Sequence, residues 1–132
     1  MPGTFRYGGG VARFPIRFSR AGRAMALLGM GPSVSYVELG DGSVTVRMGW
    51  AFRSTFDRAQ VASIAVDDDR VLGWGVHGWR GTWLVNGSSA GMLRIELEPE
   101  ARASVAGFPV KLSKLRVSVE DPGTLITRLR PS

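Results

Sequence analysis

The run Val71-Leu72-Gly73-Trp74-Gly75-Val76-His77-Gly78-Trp79-Arg80-Gly81-Thr82-Trp83-Leu84-Val85-Asn86-Gly87-Ser88 decides how the chain is read. It holds three of the four tryptophans, the only histidine and glycines at 73, 75, 78, 81 and 87. Glycine admits positive φ and close backbone approach, and tryptophan brings a large apolar surface with one N–H that needs an acceptor. The combination predicts a tight turn feeding a strand, Gly78 to Val85, through the middle of a β core. Trp79 and Trp83 are four residues apart, so on one strand they share a side. By letters alone, Gly73-x-Gly75-x-x-Gly78 matches a dinucleotide-binding turn. That turn needs a helix whose N-terminus meets the pyrophosphate, and here a tryptophan-rich strand follows.

Working outward, the flanks are also β. Upstream, Ser33 to Leu39 and Ser43 to Trp50 flank Gly40-Asp41-Gly42, which predicts a hairpin. Val44, Val46 and Met48 share one face of it. Phe52 to Phe56 and Val61 to Val66 read as two further strands, with a turn at Asp57 to Gln60 and a solvated acidic turn at Asp67 to Asp69. Downstream, Gly87 to Gly91 reads as a hairpin loop. Met92 to Glu98 alternates cleanly and is stopped by Pro99, Ala101 to Gly107 reads as a loop, and Val110 to Val119 supplies the last strands.

The end of the chain changes period. Asp121 can cap a helix, Pro122 suits its first position, and Leu125, Ile126 and Leu129 lie on one stripe. A helix over 121–130 is expected to plug one end of the strands. The fold class expected is mainly β: one antiparallel barrel or sandwich, a meander of about seven strands, with that helix as its cap. Residues 1–32 form a basic N-terminal arm. In it Arg13 to Phe18 alternates like an edge strand interrupted by Pro15, Gly8 to Gly10 breaks any element, and Arg20 to Leu28 suggests two helical turns. Residues 33–130 form the β domain.

Charge is uneven. The formal net charge is +6, and Arg6, Arg13, Arg17, Arg20 and Arg23 stand in the first 37 residues without an acid. This set is the candidate anionic-surface patch, although the codon usage of a GC-rich genome would also enrich arginine. Cysteine is absent, which removes disulfides, thiolate nucleophiles and cysteine metal sites and suits a reducing, cytoplasmic setting. No apolar run approaches the roughly 18 residues that span a bilayer; Ala24 to Met30 is short. His77, Ser88, Ser89 and Asp67 to Asp69 contain the residue types of a hydrolytic triad, but no Gly-x-Ser-x-Gly elbow exists. No metal and no cofactor is expected, since one histidine cannot assemble a ligand set.

Seven meandering strands followed by a helix of the form Asp-Pro-x-x-Leu-Ile-x-x-Leu resemble the pleckstrin-homology superfold. The resemblance is to short bacterial proteins of actinobacterial type and covers roughly Ser33 to Arg130. It implies recognition rather than catalysis. Phosphoinositide-binding members carry a Lys/Arg cluster in the first hairpin loop, where this chain has Gly40-Asp41-Gly42. The expected function is a non-enzymatic binding or scaffolding module that engages a protein or peptide through a sheet edge or a tryptophan-rich rim. Trp74, His77, Trp79, Arg80 and Trp83 are the candidate contact residues. The alternatives are a carrier of lipid or another small hydrophobic ligand, and attachment to an anionic membrane surface through the arm. Self-association is also open, and nucleic acid is not an expected partner.

Overall fold

The computed structural model describes residues 5–7, 11–68 and 75–131. Ten strands are formed: β1 (Phe5–Tyr7), β2 (Val11–Pro15), β3 (Ser35–Leu39), β4 (Ser43–Met48), β5 (Phe52–Asp57), β6 (Val61–Val66), β7 (Gly75–Trp79), β8 (Thr82–Asn86), β9 (Met92–Val105) and β10 (Phe108–Ser118). A 3-10 helix covers Gly22–Leu28, and an α-helix, α1, covers Pro122–Leu129. The sheet order is β1-β2-β3-β4-β5-β9-β10-β8-β7, with β6 beside β9.

This is a large mixed sheet and not the closed antiparallel meander expected from the sequence. From β1 to β5 each strand pairs antiparallel with the next. Beyond β5 the order departs, because β8 pairs with β10 in parallel. The segment Gly87 to Gly91 is therefore a crossover to β9 rather than a hairpin loop. Bridges past the end of β2, Ile16 to Val119 and Phe18 to Gly87, fasten the N-terminal strand to the far side of the sheet.

The alternation that marks half-buried strands is present where it was expected. In β4 the buried residues are Val44, Val46 and Met48, and β5 alternates from buried Phe52 to exposed Asp57. One apolar cluster joins Phe14, Val37, Val46, Phe52, Ile95, Leu115 and Val117 with Leu125 and Leu129 of α1. The N-terminal segment belongs to that cluster, for Ala12, Phe14, Ile16 and Phe18 are all buried. Gly8 to Gly10 lie outside the described residues.

Three local expectations fail, each for a physical reason. The strand read over Gly78 to Val85 is two strands, folded about Arg80 (φ 51°) and Gly81 (φ 87°). Two successive residues at positive φ make the tight two-residue hairpin turn whose twist matches its strands. Pro99 does not end a strand and Ala101 to Val105 is not a loop, because β9 runs through both. Pro99 lies where β9 leaves β6, last paired at Leu97, and before it meets β5 at Ala103. A residue without an N–H is tolerated where ladder bonds change hands. Lastly, Asp67 is not solvated. It is buried, and its carboxylate accepts from Nε of Arg116 on β10. Asp68 is exposed, and Asp69 lies outside the described residues.

Candidate functional site

The residues of the expected tryptophan rim fall on the β7–β8 hairpin and the segment before it. Trp74 lies outside the described residues. The β7–β8 register sets Gly78 opposite Trp83 and Trp79 opposite Thr82, so Trp79 and Trp83 stand on different strands at adjacent ladder positions. The parity argument fails because the turn at Arg80-Gly81 reverses the chain between them. Trp83 is half-buried against the core, and its Nε1 donates to the Lys111 carbonyl at 3.1 Å. A Cβ on Gly78 would stand 2.2 Å from the Trp83 ring, so the indole lies across bare backbone. Arg80 and Trp83 border one shallow depression, with Gly81, Glu100, Val110 and Lys111. His77 is exposed and borders a different one, beside Leu84 and Arg116. Among the described residues no three His, Cys, Asp or Glu side chains form a metal-binding group.

Four of the five arginines of the N-terminal segment have described side chains. Arg13 is engaged: its Nη2 stands 2.6 Å from a Glu38 carboxylate oxygen and its guanidinium lies 4.0 Å from the Tyr36 ring centre. The acid that neutralises it comes from the neighbouring strand, beyond the acid-free stretch. Arg17, Arg20 and Arg23 are exposed, and Arg6 lies on β1.

A different site stands at the end of the sheet where β4 turns into β5. Three pieces of backbone meet there. The 3-10 helix ends at Gly29 (φ 78°), and the turn begins at Gly49 (φ 53°). A Cβ on Gly49 would lie 2.0 Å from the Gly29 carbonyl oxygen, so only glycine permits this approach. The Trp50 indole N–H donates to the Leu28 carbonyl, and the Gly49 amide donates to the Val34 carbonyl at 2.9 Å. The third piece is the β9–β10 turn, whose Ala106 amide donates to the Ala51 carbonyl at 2.9 Å.

Between these pieces and the start of β7 lies a groove of about 370 Å³. Met25, Met30, Trp50, Val76 and Val105 line it, and among the described residues no charged side chain does. Its surroundings hold four of the largest exposed apolar side chains: Leu27 at 90% exposure, Phe108 at 72%, and Trp50 and Leu28 at 61% each. Phe108 is placed there by register, opposite Val105 of the groove wall. Scattered exposed apolar residues are ordinary, whereas a concentration beside an apolar groove marks an interaction surface.

The sequence reading missed this site. Period-2 parity puts Trp50 on the buried face with Val44, Val46 and Met48, but the chain has already left the strand at Gly49. The usable signal was a large indole immediately after a glycine in a short connection. Leu27 and Leu28 belong to a run, Ala24 to Met30, that is apolar all round. A short helix of that kind cannot bury every face on one sheet.

No family model, no curated protein and no solved structure matches this chain.

Proposed function

We propose that the chain is a non-enzymatic binding module whose recognition site is the apolar groove between the 3-10 helix, the β4–β5 turn and the β9–β10 turn. The observation that carries this reading is the co-location of a groove whose described lining is uncharged with exposed Leu27, Leu28, Trp50 and Phe108. Water contacts all four, and covering them would release roughly 1.5–3 kcal/mol for each fully buried side chain. A protein or peptide presenting an apolar anchor would gain in this way, and so would a lipid surface. The groove is open, with Trp50 at its lip, which favours docking of a larger body over enclosure of a free small molecule. Absence of catalysis belongs to the same reading, since the chain has one histidine and no cysteine from which to build a tunable cluster. Kinship with the pleckstrin-homology superfold is a further part of it, supported by the antiparallel run from β1 to β5 and by the Asp-Pro-capped helix that follows the last strand.

The test is a neutral apolar fluorophore, Nile red, titrated into the full chain. Wild type is expected to give a saturable rise in emission. Leu28→Asp with Trp50→Ser is expected to weaken it at least tenfold, while His77→Ala leaves it unchanged. If His77→Ala or Trp83→Ala removes the signal and the groove variant keeps it, recognition belongs to the β7–β8 hairpin and this assignment fails.

A further inference from the structure

The apolar end of the molecule is collared by positive charge that no described acid pairs. Register gives two adjacent rows, the first across five strands and the second across six. The first is Ser35, Met48, Phe52, Val105 and Phe108, pointing inward until Phe108 overhangs the end. The second row, one residue further from the apolar end, is Pro15, Tyr36, Arg47, Arg53, Ser104 and Pro109. It faces outward: Arg53 and Pro109 are exposed, and Arg47 is half-exposed.

Arg47 and Arg53 are therefore directly opposed, an arrangement of like charges that is unfavourable unless something negative lies against it. Arg47 leans toward the groove, its Nε donating to the Gly49 carbonyl at 3.2 Å beside Trp50. On the other side of the groove, Arg20 and Arg23 are exposed at the head of the helical turns that carry Leu27 and Leu28. None of these four arginines forms an ion pair with another described residue. The nearest acids along β4 and β5 are at their other end, where Asp41 sits in the β3–β4 turn and Asp57 pairs with Ser43.

We propose that this end docks on an anionic lipid bilayer, with Leu27, Leu28, Trp50 and Phe108 entering the interface and Arg20, Arg23, Arg47 and Arg53 meeting the lipid phosphates. The inference rests on the groove being the recognition site and names its partner. Charge and apolar surface coincide here as they do in proteins that lie on a membrane without crossing it. Tryptophan at the lip suits the headgroup level, where its large ring is accommodated. Arginine stems extend past the apolar side chains and keep their charged heads at the phosphates. Among the described residues no helix is long and apolar enough to cross a membrane, so the contact envisaged is peripheral. A protein partner would need a carboxylate-rich rim around an apolar anchor; a bilayer containing anionic lipid offers both over an unlimited area.

The experiment is flotation of the full chain with phosphatidylcholine vesicles, with and without phosphatidylglycerol. Wild type is expected to float with the anionic vesicles at low salt, to bind neutral ones at least tenfold less, and to be released as salt rises. Leu27→Ser with Leu28→Ser is expected to cut anionic binding at least tenfold with an unchanged melting temperature, because both side chains are exposed. Phe108→Ser gives an independent check should the double variant unfold. Arg47→Gln with Arg53→Gln should lower anionic binding and flatten its salt dependence. Failure of wild type to float overturns the proposal. So does equal flotation of the Leu27/Leu28 and Phe108 variants, which would reduce the effect to general basicity. If Nile red still binds in a Trp50-dependent manner while no vesicle does, the groove remains a recognition site and its partner is a protein.

Discussion

The two ends of the sheet are each covered by a short helix, and the two covers differ in what they leave wet. At one end α1 presents Leu125 and Leu129, both buried in the core. It is fixed there: Asp121 caps its first turn by accepting from the Thr124 amide, and Arg58 Nη2 donates to the Arg128 carbonyl at 2.6 Å. At the other end the 3-10 helix buries Met25 and leaves Leu27 and Leu28 outside. A helix with one apolar stripe can be satisfied by one surface, whereas a helix apolar on all sides keeps apolar area for a second surface. The first arrangement leaves little apolar area wet, and the second leaves Leu27 and Leu28 exposed.

The largest expected effect tests the closed end. Leu125→Ala removes a side chain with no exposure and should destabilise the fold by about 2–5 kcal/mol, the range for cavities left by buried leucine. Denaturant titration measures it. Nile red affinity at the other end should not change while the protein remains folded, because no residue of α1 lines the groove.

The second effect breaks the open end from within. Gly49→Ala forces alanine to φ 53° and sets its Cβ against the Gly29 carbonyl. The left-handed conformation alone costs roughly 1–2 kcal/mol, and the helix end must also move. Both the melting temperature and apolar-probe binding should fall together. Retention of probe affinity would show that the three backbone pieces do not define the groove.

The α1 cap comes next. Asp121→Ala should cost about 1 kcal/mol, the usual worth of an N-cap acceptor, read as a shift in denaturation midpoint at unchanged slope. Smallest of all is Leu27→Ala with Leu28→Ala, which should alter stability by no more than about 0.5 kcal/mol, the range for exposed positions. A large loss there would mean that the 3-10 helix is a structural cover like α1, and the contrast between the ends would disappear.

The same contrast separates what could be read in the sequence from what could not. The closed end was legible because its cues are local: Asp121 and Pro122 start a helix, and Leu125 and Leu129 fall on one stripe. Alternation along β4 likewise identified Val44, Val46 and Met48 as core. The open end depends on contacts between residues far apart in the chain, such as Gly29 with Gly49 and Ala51 with Ala106, which no local pattern announces. The tryptophan-rich stretch misled for a related reason. Trp83 spends its indole locking the β7–β8 hairpin onto Gly78 and Lys111, so a conspicuous composition served packing. The solitary Trp50 stands at the groove.

The double pairing of β9 has a consequence for how the chain comes to be folded. Its first half holds β6 and its second half holds β5, yet both of those strands precede it, ending by Val66, while β9 begins only at Met92. During synthesis the edges of β5 and β6 therefore emerge bare and wait for a partner still inside the ribosome. Unpaired edges of this kind are templates for wrong association. Because the core closes only after distant segments meet, folding should be slow for a chain of this length. Stalled or truncated products ending before β9 are thus expected to aggregate, and a holding chaperone would meet this protein first along β5 and β6.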